Sequence, residues 1–241
     1  MKRIHKNIFI TSTALALITG VIYLSIGAKT IPSKSNAIKV NKSVYETKIK
    51  SPKLLSNTSS NIVIYNSEPY EDYKNGKKVT DIGRLLNDKL KAKGMNSNFI
   101  YNNSPNKEIK SYADYSNTYD VSRNLIKQNV KNYNNKILLD ICREISSTPK
   151  NNIEIALSTE NPHYAENKKF ANSLIKQFNK LKQNVSVCYW GAPKNFFNQD
   201  LSNKGIILTI GNVDSNNKKL NQLMDTTAKA LQNVKWKYYT Y

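Results

Sequence analysis

Three short stretches of this 241-residue chain gather the side chains able to do hydrolytic or binding chemistry. Tyr65-Asn66-Ser67-Glu68-Pro69-Tyr70 brings a carboxylate between two phenols. Asp140-Ile141-Cys142-Arg143-Glu144 brings two carboxylates, a thiol and a guanidinium. Leu208-Thr209-Ile210-Gly211 opens a third stretch that runs to Asp214. Metal-assisted hydrolysis needs about three protein ligands around an open coordination position. It also needs a group that moves a proton. Imidazole is the usual ligand, yet the chain has only two histidines, His5 and His163, and neither lies in these stretches.

Each stretch follows an apolar run that reads as a buried strand. Ile62-Val63-Ile64-Tyr65 precedes the first, Lys136 to Cys142 contains the second, and Gly205 to Gly211 contains the third. Further strands are expected at Asn98–Tyr101, Ile153–Leu157 and Val185–Tyr189. Between them lie helical patterns. One opens at Thr80, whose hydroxyl can cap the first turn, carries Ile82, Leu85, Leu86 and Leu90 on one face, and ends at Gly94. Others are expected over Tyr119–Tyr133, His163–Lys182 and Asn216–Asn233, with residues 102–118 as a long polar loop. Strands alternating with helices of this length predict an α/β layer domain, with its site at the C-terminal strand ends.

The formal charge is +20, from 37 Lys and Arg against 17 Asp and Glu. Glu46 is the one acidic side chain in the first 60 residues. The basic residues follow no nucleic-acid module spacing, so no nucleic-acid partner is expected. Residues 8–28 form an uncharged apolar stretch long enough to cross a bilayer as a helix. The basic flank Met1-Lys2-Arg3-Ile4-His5-Lys6 places residues 1–7 on the cytoplasmic side. Cleavage as a signal peptide near Ser25–Ala28 is the rival reading. The Lys-, Ser-, Asn- and Pro-containing residues 29–60 read as a flexible linker, and residues 61–235 as the folded domain. The expected location is the cell membrane, single-pass, with that domain extracytoplasmic. Cys142 and Cys188 both sit in strand-like runs and read as reduced, buried thiols; a disulfide would need their strands to be neighbours.

Further motifs carry a resemblance. Thr80-Asp81-Ile82-Gly83, Tyr119 with Ser122-Arg123, Asn161-Pro162-His163-Tyr164 with Asn167, Phe170 and Ala171, and Phe197-Asn198-Gln199-Asp200-Leu201-Ser202 occur in order along residues 61–233. The chain thereby resembles the stage II sporulation protein P family, membrane-anchored zinc N-acetylmuramoyl-L-alanine amidases that act on peptidoglycan. The resemblance implies a three-layer amidase-like domain with a mostly parallel central sheet flanked by helices, preceded by one N-terminal transmembrane helix. It also implies a zinc held by two histidines and a carboxylate, with a glutamate for proton transfer.

The family's working motifs are altered here. Its Ile-Tyr-His-Thr-His, two residues, Glu-Ser-Tyr pattern meets Ile64-Tyr65-Asn66-Ser67-Glu68-Pro69-Tyr70, which reads as a deletion that keeps Glu68 and Tyr70. Its Asp-x-His-Arg-Asp meets Asp140-Ile141-Cys142-Arg143-Glu144, with Cys142 in the histidine position. Its Leu-Glu-x-Gly meets Leu208-Thr209-Ile210-Gly211, with Thr209 in the catalytic position. Glu68 and Cys142 are then the remaining candidate metal ligands, and no cofactor is expected. Tyr70, Arg143, Asn198, Gln199 and Asp200 are candidates to bind glycan or peptide; Asn198 and Asp200 could equally brace a loop. The leading expectation is a catalytically inactive relative that binds peptidoglycan or a wall-remodelling protein. An amidase with a rearranged zinc site and an interaction module that no longer binds glycan are the alternatives.

Overall fold

A computed structural model describes residues 61–101, 112–145, 152–191 and 193–234. The expected membrane span, the linker and residue 235 lie outside the described residues. Six strands form one sheet: β1 (Ile62–Tyr65), β2 (Ser97–Phe99), β3 (Ile137–Glu144), β4 (Ile153–Ser158), β5 (Ser186–Trp190) and β6 (Gly205–Asn212). Their order is β2-β1-β3-β6-β4-β5. The sheet is mixed. β2, β1, β3 and β6 run parallel, β4 meets β6 antiparallel, and β5 follows β4 in parallel.

Alternation along the strands divides the core. Ile62, Ile64, Leu139, Ile141, Ile153, Ile155, Leu208 and Ile210 face one side. There they pack against helices α1 (Val79–Ala92), α3 (Tyr164–Lys180) and α4 (Asn217–Asn233) through Leu86, Leu90, Phe170, Leu174, Leu223 and Met224. Burying this many aliphatic side chains supplies the main drive for folding, roughly 2 kcal/mol for each fully buried one. Val63, Tyr65 and Leu138 face the other side, under Ile126 and Val130 of helix α2 (Tyr112–Asn129). Helices on both faces make the three layers expected from the sequence.

Several boundaries move. Helix α1 starts at Val79, with Lys78 as its N-cap, and the Asp81 carboxylate accepts from the Lys78 N–H at 2.9 Å in place of a Thr80 cap. Gly94 follows it at φ +74°, the left-handed conformation that glycine adopts without strain. Helix α2 starts at Tyr112, inside the stretch read as polar loop, and stops at Asn129, before a 3-10 turn at Tyr133–Asn135. Its low apolar content hid its first turns. The segment Lys194–Leu201 is a 3-10 piece interrupted by left-handed Asn195, Phe196, Phe197 and Asn198. Cys142 and Cys188 are free thiols, and β6 and β4 lie between their strands.

Candidate functional site

Parallel β1, β3 and β6 bring the three chemistry-bearing stretches together at one end of the sheet. Past β1, Asn66 and Ser67 are buried at 4% and 2% exposure. The Asn66 side-chain amide donates to the Ile141 carbonyl at 2.6 Å and the Val79 carbonyl at 3.4 Å. Its oxygen has no hydrogen-bond partner and lies 3.2 Å from where a Cβ on Gly83 would stand, so it faces helix α1. Ser67 donates through its N–H to Asp140 Oδ1 at 2.9 Å and through its hydroxyl to Oδ2 at 2.6 Å. The same hydroxyl lies 3.0 Å from that of Ser122, which accepts from the Asn198 amide at 2.9 Å. A continuous polar chain thus ties β1, β3, α2 and the Lys194–Leu201 segment. Burial pushes Asp140 up to about 7 despite both bonds from Ser67.

Beside Asp140 lie Cys142, Glu68 and Glu71. The Glu71 carboxylate accepts from the Arg143 N–H at 3.0 Å. Burial, with Glu68 adding to it, pushes Glu71 up to about 8, while Arg143 opposes the rise. Burial and the Asp140, Glu68 and Glu71 carboxyls push the Cys142 thiol well above its usual value. Thr209 is the cross-strand partner of Cys142 on one side and of Glu154 on the other, and Glu154 is in turn paired with Ser186. Residues in register on adjacent strands share a face, so Cys142, Thr209, Glu154 and Ser186 form one row across four strands. The Ser186 hydroxyl donates to Glu154 at 3.1 Å. At the end of β5, Trp190 is 47% exposed and meets Phe197 edge-on, with centroids 6.0 Å apart.

These residues do not fit the two-histidine, one-carboxylate zinc centre implied by the resemblance. Among the described residues, no three His, Cys, Asp or Glu side chains converge as a metal-binding group. The Asn66 oxygen faces α1, and both Glu71 and Cys142 favour their protonated forms. His163 stands at the N-cap of α3, which follows β4. Because β4 is antiparallel to β6, that position lies at the opposite end of the sheet.

Three of the candidate binding residues are tied into the fold. Asn198 is fully buried, and its amide donates to Ser122 and the Tyr119 carbonyl. Gln199 is 1% exposed; its oxygen accepts from Ser158 N and its amide donates to the Ala156 carbonyl, both at 3.0 Å, pinning the segment to β4. Asp200 accepts two bonds from the Arg123 guanidinium, at 2.8 and 2.5 Å. Asn167 joins the same brace, donating to the Gln199 carbonyl and accepting from Gly205 N. Tyr70 and Arg143 stay partly exposed at the site end. Glu71, Glu154 and Ser186 were not singled out from the sequence; for the last two the missing signal is the antiparallel register, which no local pattern announces.

A family model described as stage II sporulation protein P (SpoIIP) matches residues 26–232. The chain belongs to the stage II sporulation protein P family. The Bacillus subtilis (strain 168) stage II sporulation protein P is 24% identical over an alignment covering 75% of this chain and 49% of the relative. The chain therefore spans about half the length of that relative. Solved structures to which the chain is similar include the CwlD amidase from Clostridioides difficile in complex with the GerS lipoprotein. It is 14% identical, with a TM-score of 0.49, covering 75% of this chain and 98% of that one. The N-acetylmuramyl-L-alanine amidase Ami1 from Mycobacterium smegmatis is 7% identical, with a TM-score of 0.47, covering 74% and 98%. Membership in the stage II sporulation protein P family also exposes the signal for Glu71. Without any gap, Asn66-Ser67-Glu68 occupies the His-Thr-His positions, Pro69-Tyr70 the two spacer positions, and Glu71-Asp72-Tyr73 the Glu-Ser-Tyr positions. The partly buried Glu71, which accepts from Arg143 N, and the 2%-exposed Tyr73, whose hydroxyl donates to the Ile210 carbonyl at 2.8 Å, fit that register better than a deletion retaining Glu68 and Tyr70.

Proposed function

We propose that this sporulation-family protein is a membrane-anchored, extracytoplasmic, catalytically inactive relative that binds peptidoglycan. One observation carries the reading. At the strand ends, the family's histidine positions hold Asn66, Glu68 and Cys142, and its proton-transfer position holds Thr209. Asn66 is committed to backbone carbonyls, Ser67 to Asp140, and Thr209 stands beside a protonated thiol. A hydroxyl at position 209 has no proton to exchange near neutral pH, and it cannot replace a glutamate in general acid–base catalysis. No cofactor belongs to this reading.

Binding falls to the open row rather than to the buried loop. Glu154 and Ser186 offer acceptors and donors to sugar hydroxyls and amides. Tyr70 and Arg143 edge the other side. Co-sedimentation of the purified chain with isolated wall sacculi tests this. Sedimentation of the native chain, weakened about tenfold in Glu154→Ala, with no muropeptide release, is expected. Release of muropeptides would establish the rearranged-amidase reading instead. Failure to sediment would leave an interaction module without glycan binding.

A further inference from the structure

The two ends of the sheet differ in their charge: acidic and basic groups mix at one, and basic groups dominate the other. The site end mixes Glu68, Glu71, Asp72, Asp140 and Glu144 with Lys74, Lys77, Lys78, Arg143, Lys218 and Lys219. The other end, where β1, β3 and β6 begin, is lysine-rich. Lys91 and Lys93 close helix α1, and Lys127 lies in the last turn of α2. Lys131 and Lys136 lead into β3, Lys204 leads into β6, and Lys229 lies near the end of α4. Backbone bonds bring these segments to one edge. Asn96 O accepts from Asn61 N and Ile62 N, Asn61 O accepts from Ile137 N, and Lys204 O accepts from Leu138 N. Gln232 of α4 donates to Lys93 O.

The segments 89–99, 121–139, 201–213 and 226–234, which build that end, contain no acidic residue at all. The acidic groups at the same level, Glu160 and Glu166, sit beyond β4 at the start of α3. Lys91, Lys127, Lys131 and Lys229 are exposed. Lys204 itself is 8% exposed, and its burial, with Lys136 adding to it, lowers its proton affinity. The described chain also enters the domain here, at Asn61.

We propose that this lysine-rich end is a docking surface for anionic phospholipid headgroups. It would lay the domain base-down on the membrane with the strand-end site facing away. The commitment to lipid rests on the membrane anchoring proposed above, because the apolar stretch 8–28 would tether the domain to a bilayer through the linker. A polybasic surface gains roughly fivefold in partitioning for each lysine brought to an anionic membrane, and salt weakens it. The domain would thus settle on an acidic bilayer and lift from a zwitterionic one.

The test mixes the full chain with vesicles of phosphatidylcholine alone or with added phosphatidylglycerol. It reads flotation together with amine acetylation of individual lysines by mass spectrometry. Acetylation of Lys91, Lys131 and Lys136 should fall several-fold in the phosphatidylglycerol vesicles, recover with added salt, and recover in a Lys91→Glu/Lys131→Glu variant at Lys136. Lys74 and Lys218, at the site end, should not change. Flotation with phosphatidylcholine reports the anchor alone. Flotation with both lipids but equal acetylation overturns the docking surface and leaves the anchor standing. Flotation only with phosphatidylglycerol supports the surface and removes the anchor, and flotation with neither removes both. Protection by soluble poly(glycerol phosphate) but not by phosphatidylglycerol vesicles would overturn the lipid assignment in favour of an anionic wall polymer.

Discussion

Asp140 makes the stability of this domain fall as the pH rises, and Asp140→Asn should remove that loss. Its side chain is fully buried and its pKa stands at about 7, against an ordinary value of 3.8. Between those values the folded chain holds a proton that the unfolded chain has released. The group's contribution is therefore fully present below about pH 4 and lost by about pH 7. The shift of about three units corresponds to about 4 kcal/mol across the window, or about 1.4 kcal/mol per pH unit. Glu71, raised from 4.5 to about 8, adds a second proton with the same sign. Urea unfolding between about pH 5 and about pH 6.5, above the titration of ordinary carboxylates, should show the native chain losing about 2.7 kcal/mol per pH unit. Asp140→Asn stays neutral, keeps an oxygen to accept from Ser67 N, and should halve that slope. Parallel curves for the two proteins would refute the burial of an ionisable Asp140 as the cause.

Removing the Arg123 side chain, as Arg123→Ala, should lower unfolding free energy by about 2 kcal/mol, since Asp200 is left partly buried without its two-bond partner; adding Asp200→Asn should cost much less than the sum of the single changes, as measured by a double-mutant cycle. Gly211 stands at φ +63°, and a Cβ there would lie 2.6 Å from the Ser215 hydroxyl that binds Asn212 N. Gly211→Ala should therefore cost about 2 kcal/mol in thermal or urea unfolding. Thiol titration of the unfolded, unreduced chain should find both Cys142 and Cys188 free, because two strands separate them.

Periodic burial was what the sequence exposed well. Ile62 to Tyr65, Ile137 to Cys142 and Gly205 to Gly211 read as buried strands because their apolar runs are uninterrupted, and the amphipathic faces of α1, α3 and α4 follow the helical period. Helix α2 escaped in its first turns because Tyr112–Thr118 is polar. The antiparallel turn of β4 escaped because a buried strand reads the same in either direction. That reversal put Glu154 beside Thr209 and moved His163 to the far end. Asn198, Gln199 and Asp200 looked like a surface motif because they are polar, yet their polarity satisfies backbone and side-chain partners inside a left-handed segment. Glu71 was masked by an assumed gap, and its burial beside Arg143 N restores the ungapped spacing.

The most direct test of the central claim is the zinc content of the purified native chain, read together with its action on wall sacculi. Replacement of the histidine positions by Asn66, Glu68 and Cys142, and of the proton-transfer position by Thr209, predicts a zinc-to-protein ratio far below stoichiometric and no muropeptide release, with or without chelator. A stoichiometric zinc together with release that a chelator abolishes would contradict it.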